Sequence, residues 1–164
     1  MRYLLKEVAI ELELNKLMEI KKLNSDSLTD FKSLIEIFKE VFENNEPIAN
    51  DEQLGKLLSN PDFFVFVVMS NNKVVGGLTI YVLHRYYGTK PIAYIYDVGV
   101  SPDSQGQGLG KALIAEVCNF CKQNDFEDAY VEAESDDIDA VSFYRRTKFS
   151  SEMNAIHFTY DLAK

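Results

Sequence analysis

Residues 94–114 read YIYDVGVSPDSQGQGLGKALI: an apolar strand, a turn in which Gly106, Gly108 and Gly110 alternate with Gln107 and Leu109, and an amphipathic helix. Glycine is needed where φ must be positive or where something approaches the backbone closely. A helix start after such a turn presents unpaired N–H groups and the positive end of the helix dipole, so an anion is its natural guest. Two phosphate loops fail on spacing. A G-x-G-x-x-G loop from Gly106 would need glycine where Lys111 stands. A P-loop ending in Gly110-Lys111 would need glycine at Gln105 and a serine or threonine at Ala112. What remains is Q-x-x-G-x-G, Gln105 to Gly110, between strand and helix.

The surrounding chain builds the frame for that turn. Leu28, Phe31, Leu34, Ile35, Phe38 and Phe42 recur at three and four, which predicts a helix with one apolar face, with Ser27 and Asp30 as a short capping box. A second helix is expected over 51–58, ended by Asn60-Pro61. FFVFVVM (63–69) and VVGGLTIYVL (74–83), joined by SNNK, predict a hairpin. Residues 91–100 form the strand into the glycine turn; Leu109, Leu113, Ile114, Val117 and Cys121 line the helix after it. Strands are expected at 3–14, 127–134 and 154–162. A short helix, capped by Asp136 or Asp137, carries Ala140, Val141, Phe143 and Tyr144. The order β-α-α-β-β-β-α-β-α-β implies an α/β fold: a mixed, mostly antiparallel central sheet flanked by helices, one domain over 1–164.

Composition bounds the function. The net charge of −9 argues against nucleic acid or an anionic membrane surface as partner and permits a cationic one. MRYLLKEVAI has no signal-peptide core, and no run reaches the ~18 apolar residues of a membrane span. Cys118 and Cys121, three apart in a helix, suit a reduced, cytoplasmic chain. His84 and His157 show no metal-ligand spacing with them, so no metal is expected.

With its element order, VGVSPDSQGQGLGKALI and AVSFYRRTKF (140–149) make the chain resemble the GCN5-related N-acetyltransferase superfamily, the acyl-CoA N-acyltransferase fold. The second stretch looks like the family's A-x-x-F-Y-x-x-x-G-F, with Lys148 in place of the glycine. LGKLLSNPDFFVF, KVVGGLTIYVL, YIYDVGVS and YVEAESDDIDAVSFY are in turn similar to the type I aminoglycoside 3-N-acetyltransferases, with Ile138 where proline is expected.

The resemblance implies acetyl-CoA as donor. Gln105 would shape the turn, and the amides of Gly106, Gln107, Gly108, Gly110 and Lys111 would cradle its pyrophosphate. The backbone of Val98 and Val100 would pair with the pantetheine arm. Tyr144 occupies the family's general-acid position. Asp97, a carboxylate near the cofactor end of a central strand, is the candidate base, substrate anchor, or both. From Glu127 to Tyr144 there is no lysine or arginine, so Glu132, Glu134, Asp136 and Asp137, with Asp97, are candidate contacts to a cationic amine. The expected activity is direct acetyl transfer to a primary amine of an aminoglycoside or a similar cation. The alternatives are a protein or other small amine as acceptor, or an acyl-CoA-binding module without turnover. A homodimer is expected only by analogy.

Overall fold

The computed structural model describes residues 18–162, which divide after Glu132 into two compact units. The first holds β1 (Met18–Lys22), α1 (Leu28–Val41), α2 (Asp51–Leu58), β2 (Phe63–Ser70), β3 (Lys73–Leu83), β4 (Ile92–Val100), a 3-10 turn (Pro102–Ser104), α3 (Leu109–Gln123) and β5 (Asp128–Val131). The sheet order is β1-β2-β3-β4-β5, antiparallel except for the parallel β4–β5 pair. A parallel pair needs a crossover, and α3 supplies it. The β2–β3 hairpin turns on Asn71 and Asn72, both left-handed at φ 49° and 60°, the twist a two-residue turn requires.

Each sheet face has its own core. Leu109, Leu113, Val117 and Cys121 of α3 pack with Leu78, Ile80, Ala93 and Ile95 on one side. Phe31, Leu34 and Phe38 of α1 and Leu54 of α2 pack with Phe63, Val65 and Val67 on the other. Glycine lets α1 sit close to the sheet. A Cβ on Gly77 would lie 2.4 Å from the Phe66 carbonyl and 2.8 Å from the Leu34 methyls. A Cβ on Gly99 would lie 2.9 Å from the Phe38 ring.

Several expectations are corrected. The stretch 3–14 lies outside the described residues, and β1 occupies a place where no strand was expected: five residues, two of them lysine, carry too little pattern. Ser27 stands at the α1 N-cap but makes no capping bond; its hydroxyl donates to Asn24 Oδ1 at 2.9 Å, and Asp30 pairs with Lys21 at 3.1 Å. The reciprocal capping box is on α2 instead, between Asn50 and Gln53. Phe42 falls just past the end of α1 and is exposed, although its ring still meets Phe38. The β5 strand stops at Val131, so Glu132 and Glu134 share no strand face.

The second unit holds one helix, α4 (Ile138–Arg145). Asp137, not Asp136, caps it, accepting from the Ala140 amide at 2.9 Å. Lys148 does not need the left-handed conformation that glycine in its place would suit. The expected strand at 154–162 does not form, and Ile156, Phe158, Tyr160 and Leu162 are exposed. Alternation gives a segment two faces, but a strand persists only when its N–H and C=O rows find a neighbour. The segment is not one of the strands of the described sheet.

The close approach of α1 is testable. Gly77→Ala should destabilise by ~1–3 kcal/mol, as overpacking does, and lower the urea midpoint. Gly55→Ala on α2, with open space around it, should raise the midpoint through helix propensity, by ~0.5–1 kcal/mol. Equal midpoints for the two variants would contradict this packing.

Candidate active site

The β3–β4 ladder carries a bulge. Leu78 pairs with Val98 and Ile80 with Ile95, so Thr79 alone faces both Tyr96 and Asp97. The extra residue resets the alternation of β4. Ala93, Ile95, Val98 and Val100 therefore all face the α3 core, whereas Tyr94, Tyr96, Asp97 and Gly99 face the α1 side. Without the bulge Asp97 would share a face with Ala93 and Ile95, in the core.

Asp97 is half-buried and held from β3. The Thr79 hydroxyl donates to Asp97 Oδ2 at 3.3 Å and accepts from the Asp97 amide at 3.3 Å, while Thr79 itself is only 4% exposed. Burial pushes the Asp97 carboxyl above its usual range; the Thr79 hydrogen bond opposes that without cancelling it. A carboxylate displaced upward and facing an open aromatic surface can accept a proton from an ammonium more readily than an ordinary aspartate.

The surface beside it is tyrosine. Tyr81 on β3 and Tyr130 on β5 flank Tyr94, their register partner on β4. Tyr94 stacks on Tyr130 at 4.8 Å, and Tyr96 meets the edges of Tyr81 and Tyr94 at 5.4 and 5.7 Å. Glu132, exposed just beyond β5, accepts from the Tyr94 hydroxyl at 2.9 Å. Burial and this bond push the Tyr94 hydroxyl up to about 12, so it stays a donor. Burial, then Tyr96 and Asp97, raise Tyr81 too. Residue patterns alone did not assign Thr79, Tyr81, Tyr94 or Tyr130 to a site. The spaced tyrosines were the available signal, but their meeting depends on register.

The glycine turn lies past the end of β4. Gly106 and Gly108 have φ of 75° and 79°, and a Cβ on either would meet open space, so their requirement is conformational. Gly110 lies in the first turn of α3. Ala112 is the first residue to close onto the Gly108 carbonyl, which leaves the amides of Leu109, Gly110 and Lys111 as the helix's unpaired donors. Gln105 does shape the turn: its side-chain amide donates to the Val100 carbonyl at 3.0 Å. The β4–β5 pairing runs from Ile92↔Asp128 to Ile95↔Val131 and stops. From Tyr96 onward the edge of β4 has no strand beside it among the described residues. Val98 and Val100 give their side chains to the core, so only their backbone can face a ligand. The close approach that Gly99 permits is that of the Phe38 ring.

The other candidates belong to the second unit or elsewhere. Glu134, Asp136, Asp137 and Tyr144 lie beyond Glu132; Tyr144 sits on α4 with its ring against Phe143 at 4.9 Å, and its carbonyl accepts from the Thr147 hydroxyl. Cys121 is buried, which pushes its thiol up to about 11, and the Cys118 thiol is raised by the same cause. Neither is a ready nucleophile. His84 is paired with Asp62 at 2.9 Å. Among the described residues no cluster could hold a metal ion, and no helix is long and apolar enough to cross a membrane.

Known proteins resemble this chain in sequence and in fold. Residues 31–149 match the acetyltransferase (GNAT) family. An aminoglycoside acetyltransferase from an uncultured soil metagenomic sample, in a crystal structure with sisomicin, is 43% identical; the match covers 91% of this chain and 99% of that one, with a TM-score of 0.88. An aminoglycoside N-acetyltransferase in complex with CoA shares the fold at 16% identity over 87% of this chain and 94% of that one, with a TM-score of 0.73. The mycothiol acetyltransferase of Saccharomonospora viridis is 37% identical over 65 residues, 40% of this chain and 21% of that protein. The chain spans between 19% and 28% of the length of the mycothiol acetyltransferases it matches. By the extent of the family match and the full-length likeness to the soil enzyme, the chain belongs to the GNAT acetyltransferase family.

Proposed function

We propose that this chain moves the acetyl group of acetyl-CoA directly to a primary amine of a cationic small molecule, with aminoglycosides the first class to test. The observation that carries the reading is Asp97: the β4 bulge lifts its carboxylate out of the core onto an open, tyrosine-lined face, where burial raises its proton affinity. The full-length likeness to a soil aminoglycoside acetyltransferase supports the acceptor class. The mycothiol relatives name a different acceptor, so that choice rests on the test.

The donor is acetyl-CoA, the family's acetyl source. The residues present suit it. Two left-handed glycines keep side chains out of the space before the α3 amides, which fits a pyrophosphate, with the Lys111 cation close by in sequence. The open edge of β4 from Tyr96 to Val100 suits the amides of an extended pantetheine arm, which would add to the sheet as a strand does. The Gln105 bond to the Val100 carbonyl ties that edge to the phosphate turn.

In this reading Asp97 binds the acceptor ammonium and takes one proton from it, directly or through a water. The freed amine lone pair attacks the thioester carbonyl carbon; the new C–N bond forms and the C–S bond breaks. The departing thiolate takes a proton from Tyr144, a role assigned from the A-V-x-F-Y segment, and the second proton, shed by the acetylated nitrogen, returns through solvent to the Tyr144 phenolate. Glu132, Glu134, Asp136 and Asp137 supply negative charge that attracts a polycation.

Three measurements check this. Asp97→Asn should lower kcat/KM for the amine by ~10²–10⁴-fold and abolish the acid limb of its pH profile, which in the unaltered chain lies above the ordinary carboxylate range. The sign of the stability effect is opposite. The folded state holds the Asp97 proton more tightly than the unfolded state, so the charged carboxylate costs stability once pH rises through the raised value. Asp97→Asn should therefore melt higher than wild type at neutral pH, and the gain should shrink as pH falls toward the unfolded carboxylate range. A variant that is both active and unchanged in stability would remove Asp97 from the mechanism.

Tyr144→Phe keeps the ring against Phe143 and loses the proton. We expect kcat to fall by ~10²–10⁴-fold with little change in KM for acetyl-CoA. Turnover within about threefold of wild type would assign Tyr144 to packing alone.

Acetyl-CoA at about 100 times its Kd should add ~2.7 kcal/mol, read as a higher Tm. Gly108→Val, forced out of its left-handed conformation, should lose most of that shift. An unshifted Tm in the wild type would refute the turn as the donor site.

A further inference from the structure

The row Tyr81–Tyr94–Tyr130 runs across three strands on the face that carries Asp97, with Tyr96 beside it. Packing explains only its inner end. Tyr81 meets Phe63 at 5.0 Å and joins the α1 core, but Tyr96 is 56% exposed and Tyr130 37%. Large aromatic rings left open together on a sheet face mark a binding surface more often than a solvent surface. Their ring faces carry negative potential, and so does the rim. Glu132 is held at its edge by the Tyr94 hydroxyl, and Asp128, opposite Ile92, adds a second carboxylate two residues from Tyr130. Beyond Lys73 at the start of β3, these three strands contain no lysine or arginine. Such a surface excludes anions and favours a cation seated over an aromatic face.

We propose that Tyr94, Tyr96 and Tyr130, with Glu132 fixed at their rim, form a specificity subsite that seats a second ammonium of the acceptor while Asp97 engages the reacting one. The proposal rests on the amine-acetylation reading and adds to it: the chain selects acceptors with two cationic groups. The spacing follows from the strand. Tyr94 pairs with Tyr81, and across the bulge Asp97 lies opposite Thr79, two residues back along β3, so the two subsites lie on the order of 7 Å apart along the sheet. A short, flexible dication or adjacent amino groups on linked sugar rings can bridge that distance.

Cadaverine and n-pentylamine share a chain and differ by one charge. The ratio of their kcat/KM values isolates the second ammonium. In wild type we expect cadaverine to be favoured, and Tyr96→Leu or Glu132→Gln to reduce the preference by about 5- to 30-fold, the range for a partly desolvated cation–π contact or charge pair. Glu132→Gln keeps an acceptor for the Tyr94 hydroxyl, so a change in the ratio reports charge and not a collapsed tyrosine row. Tyr86→Leu, in an exposed ring outside this face, should leave the ratio unchanged.

A second readout does not need turnover. The chain has nine tyrosines and no tryptophan, so its near-ultraviolet signal is tyrosine. Titration with cadaverine should perturb that signal saturably in wild type, and at higher concentration in Glu132→Gln. Amine acetylation with no preference for cadaverine, or a preference that both variants retain, would overturn the subsite and leave acetyl transfer standing. A saturable tyrosine signal without acetylation of any amine would support the subsite and defeat the transfer reading. Absence of both signal and turnover would overturn the subsite.

Discussion

One extra residue in β4 sets the chemistry of the sheet. Unbroken alternation along Ile92–Val100 would put Asp97 on the α3 side among Ala93 and Ile95, and Val98 and Val100 among the tyrosines. Burying an unpaired carboxylate costs several kcal/mol or forces it to stay protonated. The bulge opposite Thr79 removes both faults together: it returns the valines to the core and turns Asp97 toward solvent. Thr79 then holds the position, because its hydroxyl bonds both the amide and the carboxylate of Asp97. A residue buried in the central sheet thus fixes the orientation of a half-buried carboxylate at its margin.

The remaining features of this face follow from where α1 stops. Phe31 and Phe38 cover Phe63 and Gly99, and the glycines at 77 and 99 bring that helix close enough to exclude water. Toward β5 the cover ends, and Tyr94, Tyr96 and Tyr130 continue the aromatic surface outward. Tyrosine suits such a boundary, since its ring packs and its hydroxyl meets water or a carboxylate. The raised Asp97 carboxyl and the Tyr94–Glu132 bond both arise at this margin between core and solvent.

The glycines divide by physical role. Gly77 and Gly99 are small because another element presses on them, and the chain around them would clash with any Cβ. Gly106 and Gly108 have room but stand at positive φ, where side chains with a Cβ are strained. The first pair fixes the distance between helix and sheet. The second shapes the entry to α3 and leaves its first amides open. A substitution in the first pair acts through crowding, one in the second through backbone strain.

Much of this protein was legible in the residue pattern. The hairpin through Asn71-Asn72, the apolar stripes of α1 and α3 and the glycine turn are local signals, each within one or two elements, and the resemblance of the turn and of the A-V-x-F-Y segment led to the GNAT family. Elements whose formation depends on a partner were not determined this way. Residues 154–162 alternate like a strand but carry none among the described residues, since alternation gives a segment two faces and not a neighbour. Ser27 looks like a cap but spends its hydroxyl on Asn24. Asp97 could be named as a candidate from its place on the strand. Which way it faces was decided by a register shift against β3, some twenty residues earlier, and the meeting of Tyr81, Tyr94 and Tyr130 by the alignment of three strands. Periodicity is a property of one segment, whereas register is a property of two, so only the folded sheet could put a carboxylate and its aromatic surroundings on the same face.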